Sequence, residues 1–259
     1  MASITLLGAG NVGQHLCKAL FKAHHDIVQV YNRTPLHTES LQAMLPQTRF
    51  VNEIDALTLN TDLYLIAVSD DAIAEVSDAL PLNNGIVVHT SGATSLSVLL
   101  KHSNRGIFYP LQTFTAGHEV DFTQIPFCID ANFEQSAEKL IDIASTLSPQ
   151  VYRLNDQQRI ALHVSAVFAN NFTNHMFAIA EEICQLNQVP FDIIKPLISE
   201  TLSKIQTQSP RLVQTGPAKR NDFMTIQAHL DLLKSTPLYS HLYVILSESI
   251  LTMYQPPYP

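Results

Sequence analysis

The sequence predicts an α/β fold, a doubly wound and mostly parallel sheet, followed by an all-α domain. Three observations predict it. Short runs of near-continuous Ile, Leu and Val alternate with helical patterns up to about residue 154, strand signals stop after Asn155, and helical periodicity fills the rest. Strands buried on both faces carry unbroken apolar runs, and a β-α-β-α order implies right-handed crossovers in one sheet. The chain has 259 residues, 46% apolar and 15% charged, enough to bury a substantial core. The expected domains are therefore 1–154 and 155–259.

The strand runs, in order, are SITLLG (3–8), DIVQVYN (26–32), RFV (49–51), LYLIAV (63–68), GIVVHT (85–90), GIFY (106–109), PFCID (126–130) and QVYRL (150–154). Between them, NVGQHLCKALFKAH presents Val12, Leu16, Ala19 and Leu20 on one face, and FEQSAEKLIDIASTL presents Ala137, Leu140, Ile141 and Ala144. From Ile160 the spacing Val164, Val167, Phe168, Met176, Ile179, Ile183, Leu186 predicts a long helix. FDIIKPLISETLSKIQ (191–206) predicts a helix kinked or started late by Pro196, DFMTIQAHLDLL (222–233) one capped by Asp222, and LYSHLYVILSESILTMY (238–254) the last. The tail QPPYP is expected to be loose.

Charge and cysteine usage narrow the function classes. Lys plus Arg total 15 against 23 Asp plus Glu, with no basic run interleaved with aromatics, so the footprint of a nucleic-acid binder is missing. The apolar start lacks a basic n-region and reads as a first strand, not a leader. Residues 160–180 carry no Asp, Glu, Lys or Arg, but His163, Ser165, Asn170, Asn171, Thr173, Asn174 and His175 are too polar a load for lipid, so no membrane partner is expected. Cys17, Cys128 and Cys184 are odd in number and widely spaced, which suggests buried thiols in a reduced, cytoplasmic protein without a metal site.

Gly8-Ala9-Gly10-Asn11-Val12-Gly13 follows the first strand and opens a helix. This G-x-G-x-x-G spacing suits a dinucleotide: Gly8 for the tight turn, Gly10 to let the diphosphate approach, Gly13 for close helix–sheet packing. The helix N-terminus adds free N–H groups and partial positive charge. An ordinary ligand-free turn is the alternative. At the end of the second strand stand Asn32, Arg33 and Thr34 rather than the acidic residue that would bind a ribose 2′-hydroxyl. Asn32 removes a repulsive carboxylate, Arg33 offers a guanidinium to a 2′-phosphate and Thr34 a hydroxyl, so NADP is the expected cofactor. Arg33 as a plain surface charge, with NAD in the site, is the competing reading.

GAGNVG with YNRT resembles the NADP-binding domain of the superfamily of 6-phosphogluconate dehydrogenase, 3-hydroxyisobutyrate dehydrogenase and pyrroline-5-carboxylate reductase. AVSDDAI (67–73), HTSGA (89–93), YPLQTF (109–114), HVSAVFANNF (163–172) and TGPAKRNDFMTIQAHL (215–230) extend the likeness over essentially the whole chain. Together they are similar to a group of candidate NADP oxidoreductases whose carboxy-terminal helical domain has no assigned function. The resemblance implies a Rossmann domain followed by a helical domain of the 6-phosphogluconate dehydrogenase type. Two departures stand out: Tyr109 where members often have His, and Asn221 where they often have Gly. In the hydroxyacid dehydrogenases a catalytic Lys precedes an Asn-Asn pair; counting back from Asn170-Asn171 gives Val167.

A parallel sheet binds its ligand beyond the carboxyl ends of its strands, which brings Val68, Ser69 and Ser91 beside the cofactor as binding groups, or as simple loop residues. His163, Asn170 and Asn174 fall within about 40° of one another on an ideal helix. They suggest a polar stripe holding a carbonyl or imine, with His163 as proton donor. The same stripe could instead satisfy loops or a partner helix. Lys219 and Arg220 precede a helix and are candidates for a substrate anion, or a solvated basic loop.

The leading expectation is an NADP(H)-dependent oxidoreductase acting on a small carbonyl or imine between two domains. A non-catalytic NADP(H)-binding sensor or scaffold is the alternative. The apolar long helix further suggests a homodimer through the helical domain.

Overall fold

A computed structural model of the protein describes residues 1–34 and 39–254; the QPPYP tail lies outside the described residues. All eight apolar runs form strands: β1 (Ser3–Leu7), β2 (Asp26–Tyr31), β3 (Arg49–Val51), β4 (Leu63–Ile66), β5 (Ile86–His89), β6 (Arg105–Pro110), β7 (Phe127–Ala131) and β8 (Val151–Arg153). They build one sheet in the order β3-β2-β1-β4-β5-β6-β7-β8. Every neighbouring pair is parallel except β6 and β7, which run antiparallel. β1 thus lies between β2 and β4, and the winding reverses beside it. Such a reversal opens a crevice at the carboxyl ends of the strands.

Alternate strand residues feed opposite faces. Leu6, Leu65, Val88 and Phe108 belong to one apolar cluster, Leu7, Ile66 and Val87 to another. Helices α1 (Asn11–Lys22), α2 (Glu39–Met44), α3 (Ile73–Ala79) and α4 (Glu134–Ser145) connect the strands. α1 buries Leu16, Cys17 and Leu20, and α4 buries Ala137, Leu140 and Ala144, close to the faces their spacing predicts. Each fully buried Leu contributes roughly 1.5–3 kcal/mol relative to exposure.

The chain divides into two compact units, Met1–Ala169 and Asn170–Pro259. The first runs past residue 154 because helix α5 (Asp156–Ala166) is tied to the loop after β5. Asn155 caps α5 reciprocally with Gln158, while Asp156 accepts hydrogen bonds from Ser95 Oγ at 2.5 Å and Leu96 N at 3.0 Å. Residues 167–172, expected to continue an α-helix, instead form a π-helical turn.

The second unit contains α6 (Thr173–Leu186), α7 (Lys195–Thr207), α8 (Pro210–Val213), α9 (Pro217–Arg220), α10 (Phe223–Leu232) and α11 (Pro237–Tyr254). Pro196 sits in the first turn of α7, so the helix starts late, after a 3-10 turn at Phe191–Ile194. Asp222 caps α10 by accepting from Thr225 N at 3.1 Å, and Asn221 adopts a left-handed φ of 60° in place of Gly. Among the described residues of this unit only Ala218, Leu233 and Ser247 are buried. Leu197, Leu212, Phe223, Met224 and Leu238 stay exposed. Among the described residues, no helix is long and apolar enough to cross a membrane. Cys17 and Cys128 are buried, with burial pushing their thiols up to about 12 and about 11, whereas Cys184 is half-buried.

Candidate functional site

The glycine loop joins β1 to α1 with little room to spare. Gly8 has a φ of +103°, and a Cβ there would sit 2.6 Å from Ala67 O. A Cβ on Gly13 would lie 2.1 Å from Gly8 O, so the helix packs directly on the turn. Gly10 differs: nothing lies within 4 Å of its Cβ position, and it faces open space. Gly10 is also the N-cap of α1 and supplies no side-chain partner, so the first-turn N–H groups of Asn11, Val12 and Gly13 are left to a ligand.

A groove of about 540 Å³ opens beside this turn, lined by Gly8, Gly10, Asn11 and Val12, by Asn32, Arg33 and Thr34, and by Val68 and Ser69. The elements β1, β2 and β4 therefore bring together the cofactor residues predicted from sequence, with two exceptions. Gly13 lies under the turn. Ser91 is buried in its own loop, where its hydroxyl accepts from Ala93 N at 3.1 Å and Thr94 N at 2.9 Å and donates to Thr94 Oγ1 at 3.0 Å.

Asn32 does more than omit a carboxylate. Its Oδ1 accepts from Ala9 N at 2.9 Å and its Nδ2 donates to Thr34 O, so one amide clamps the glycine loop to the end of β2. Gly8 N donates to Tyr31 O at 2.8 Å alongside. Arg33 is exposed on the groove wall and makes no hydrogen bond or ion pair to a described residue. Asn11 Nδ2 donates to Phe114 O at 3.2 Å, which brings Phe114 into the same lining. An open Gly10, uncapped amides and an unengaged guanidinium fit a dinucleotide with a 2′-phosphate.

Two strands further along the carboxyl edge, Tyr109 of β6 meets His163 of α5: Tyr109 Oη lies 3.2 Å from His163 Nδ1, with the rings edge to face. Gly92 makes this possible, since a Cβ there would fall 2.6 Å from His163 Nδ1 and 2.8 Å from Tyr109 Oη. Burial pushes the Tyr109 phenol up to about 12, so it stays protonated. Beneath the pair, Arg159 is fully buried; its guanidinium donates to Asp156 Oδ1 at 2.8 Å and to Thr94 O. Burial alone would raise the Asp156 carboxyl, but hydrogen bonds from Ser95 and Arg159 outweigh it and hold the group below the usual carboxylate range. His89 is fully buried; burial first, then the Arg159 charge, pushes its imidazole down to about 4. His89, Gly92 and Tyr109 fall in the HTSGA and YPLQTF segments, but the sequence gives none of them a part in this contact, and Arg159 carries no motif signal.

The remaining candidates belong to the second unit. Asn170 and Asn174 are exposed there, so neither is a buried amide in need of a partner. The π-turn also interrupts the constant 100° step that aligned them with His163, because π-helical residues wind more loosely. Lys219 donates to Gln214 O at 2.7 Å and lies over the Tyr254 ring. The N-terminus of α10, expected to attract an anion, is filled by the Asp222 carboxylate. Arg220 is 64% exposed and 3.9 Å from Asp222.

Residues 1–113 match a Rossmann-like domain, and residues 125–250 match a domain of unknown function, DUF2520. No curated protein sequence matches the chain. Among solved structures, BF3122 of Bacteroides fragilis, a candidate NADP oxidoreductase, is 39% identical with a TM-score of 0.88, covering 96% of this chain and 98% of its own. Two others share the fold at low identity. An imine reductase from Myxococcus stipitatus in complex with NADP+ is 14% identical with a TM-score of 0.64, covering 96% and 92%. A reductive aminase from Aspergillus terreus in complex with NADPH and ethyl levulinate is 13% identical with a TM-score of 0.73, covering 96% and 92%.

Proposed function

The chain belongs to the family of the Bacteroides fragilis protein, and on that premise we propose that it is an NADP(H)-dependent oxidoreductase acting on a small carbonyl or imine. The observation that carries this reading is the groove itself, where uncapped N–H groups at Asn11 and Val12, an open Gly10 and the exposed Arg33 line one wall. When bound, NADPH supplies the hydride. The chain's own residues do the rest. The α1 N-terminus holds the diphosphate, Arg33 and Thr34 take the 2′-phosphate, and Asn32 keeps the loop in shape. Val68 and Ser69 line the nicotinamide end, while the Ser91 turn shapes the neighbouring loop. His163 supplies the proton to the substrate. On the helical unit, Asn170 and Asn174 offer exposed amides and Arg220, more accessible than Lys219, an exposed cation.

A second copy of the chain covers the helical unit. Leu212 is 75% and Met224 83% exposed, with Leu197, Phe223 and Leu238 also uncovered, apolar side chains that a partner copy would take out of water. Light scattering at micromolar concentration should give twice the chain mass; the mass of one chain would refute the dimer. A sensor without turnover is favoured by one feature, Val167 at the position of the dehydrogenase lysine. NADPH oxidation against a panel of 2-keto acids, cyclic imines and aldehydes decides between them. Turnover lost in His163→Ala supports the enzyme, and NADPH binding with no turnover of any compound supports the sensor.

A further inference from the structure

A buried phenol must place its proton somewhere. Tyr109 is 9% exposed, and the one hydrogen-bond partner of its hydroxyl among the described residues is His163 Nδ1, at 3.2 Å. Were Nδ1 the donor, the phenolic hydrogen would have no acceptor among the described residues, an arrangement that folded proteins seldom accept in a buried residue. The reverse arrangement satisfies both groups: the hydroxyl donates and Nδ1 accepts. A neutral imidazole carries a single ring proton, which must then reside on Nε2. His163 is half-buried where Tyr109 is buried, so the imidazole is the more accessible member of the pair.

We infer that Tyr109 is a positioning residue that fixes neutral His163 in its Nε2–H tautomer, so that Nε2 is the ring nitrogen that donates a hydrogen bond to the substrate's carbonyl or imine. This rests on the reading of His163 as the side chain that meets the substrate. Gly92 is the third part of the device. Its missing Cβ lets phenol and imidazole approach, and any larger residue would enter the space both atoms occupy. Burial of Tyr109 keeps the phenol protonated, and therefore a donor, across the range in which proteins work. The pairing also spans two elements distant in sequence, β6 and α5, so it fixes the ring direction as well as its tautomer.

The test is nitrogen NMR of histidine-labelled protein, comparing wild type with Tyr109→Phe and using His163→Gln to assign the signals. Neutral His163 should be essentially all Nε2–H in the wild type. Tyr109→Phe should raise the Nδ1–H fraction and lower kcat about tenfold, with the Kd for NADPH unchanged. A wild-type spectrum with the proton on Nδ1, or an unchanged distribution in Tyr109→Phe, overturns the assignment. If Tyr109→Phe does not fold, the wild-type spectrum decides. The spectrum needs no turnover, so this inference can fail while NADPH oxidation persists, and can hold where no substrate is found.

Discussion

Tyr109 Oη and His163 Nδ1 lie 3.2 Å apart in a space that exists because residue 92 has no side chain. β6 and α5 are separated by the antiparallel β7, by α4 and by β8, yet the fold brings them together at the carboxyl edge of the sheet. The contact depends on Asp156 and Arg159, which hold α5 against the loop after β5.

Gly92→Ala should therefore disturb both rings at once. The added carbon would sit 2.6 Å from His163 Nδ1 and 2.7 Å from Tyr109 Cζ, and the buried Tyr109 ring cannot retreat freely. Overpacking of this kind costs about 1–3 kcal/mol. Urea unfolding of the variant should show that loss, and turnover should fall with it. Stability equal to wild type would mean that the loop yields.

Arg33→Ala should weaken NADPH binding by ten- to a hundredfold, since a charge-assisted contact contributes roughly 1.5–3 kcal/mol. NADH, without a 2′-phosphate, should bind almost as before. Fluorescence titration of both cofactors checks this, and equal losses would show that Arg33 does not select the phosphate.

Asn32→Asp separates the two tasks of the residue. A carboxylate can still accept from Ala9 N but cannot donate to Thr34 O, and it brings negative charge to the wall shared with Arg33. NADPH affinity should drop about tenfold, roughly 1.4 kcal/mol, and NADH affinity by less. Isothermal titration of each nucleotide measures the difference; a larger loss for NADH would contradict the assignment.

His89 makes stability depend on pH. Its imidazole is pushed down to about 4 in the folded chain by burial and the Arg159 charge, against about 6.5 when unfolded. The folded state thus prefers the neutral ring. Its contribution is fully present above pH 6.5 and is lost as pH falls from there through about 4, on the order of a few kcal/mol. Urea unfolding at pH 7.5 and pH 5 should show a smaller decline for His89→Gln than for wild type. An identical decline would assign the effect to His25 and His102, whose imidazoles burial also lowers.

Much of this architecture is legible in the sequence because its signals are local. The runs from SITLLG to QVYRL read as strands since a parallel sheet covers both faces of each, and Pro196 and Asp222 mark helix starts through chemistry that acts within one turn. The glycine loop and Arg33 are visible for the same reason. Other features depend on distant partners. Asn32 reads as the absence of a charge, yet its amide joins two loops 23 residues apart. The π-turn at Val167–Phe172 leaves the apolar spacing intact while changing the winding beneath it. Tyr109 and His163 are 54 residues apart, and nothing in either segment announces the other.

The most direct test is a crystal structure of the protein soaked with NADP+. The diphosphate is expected against the N–H groups of Asn11 and Val12, the 2′-phosphate beside Arg33, and the nicotinamide over the ends of β4 and β5. A nucleotide bound elsewhere, or with its 2′-phosphate turned away from Arg33, would contradict this placement.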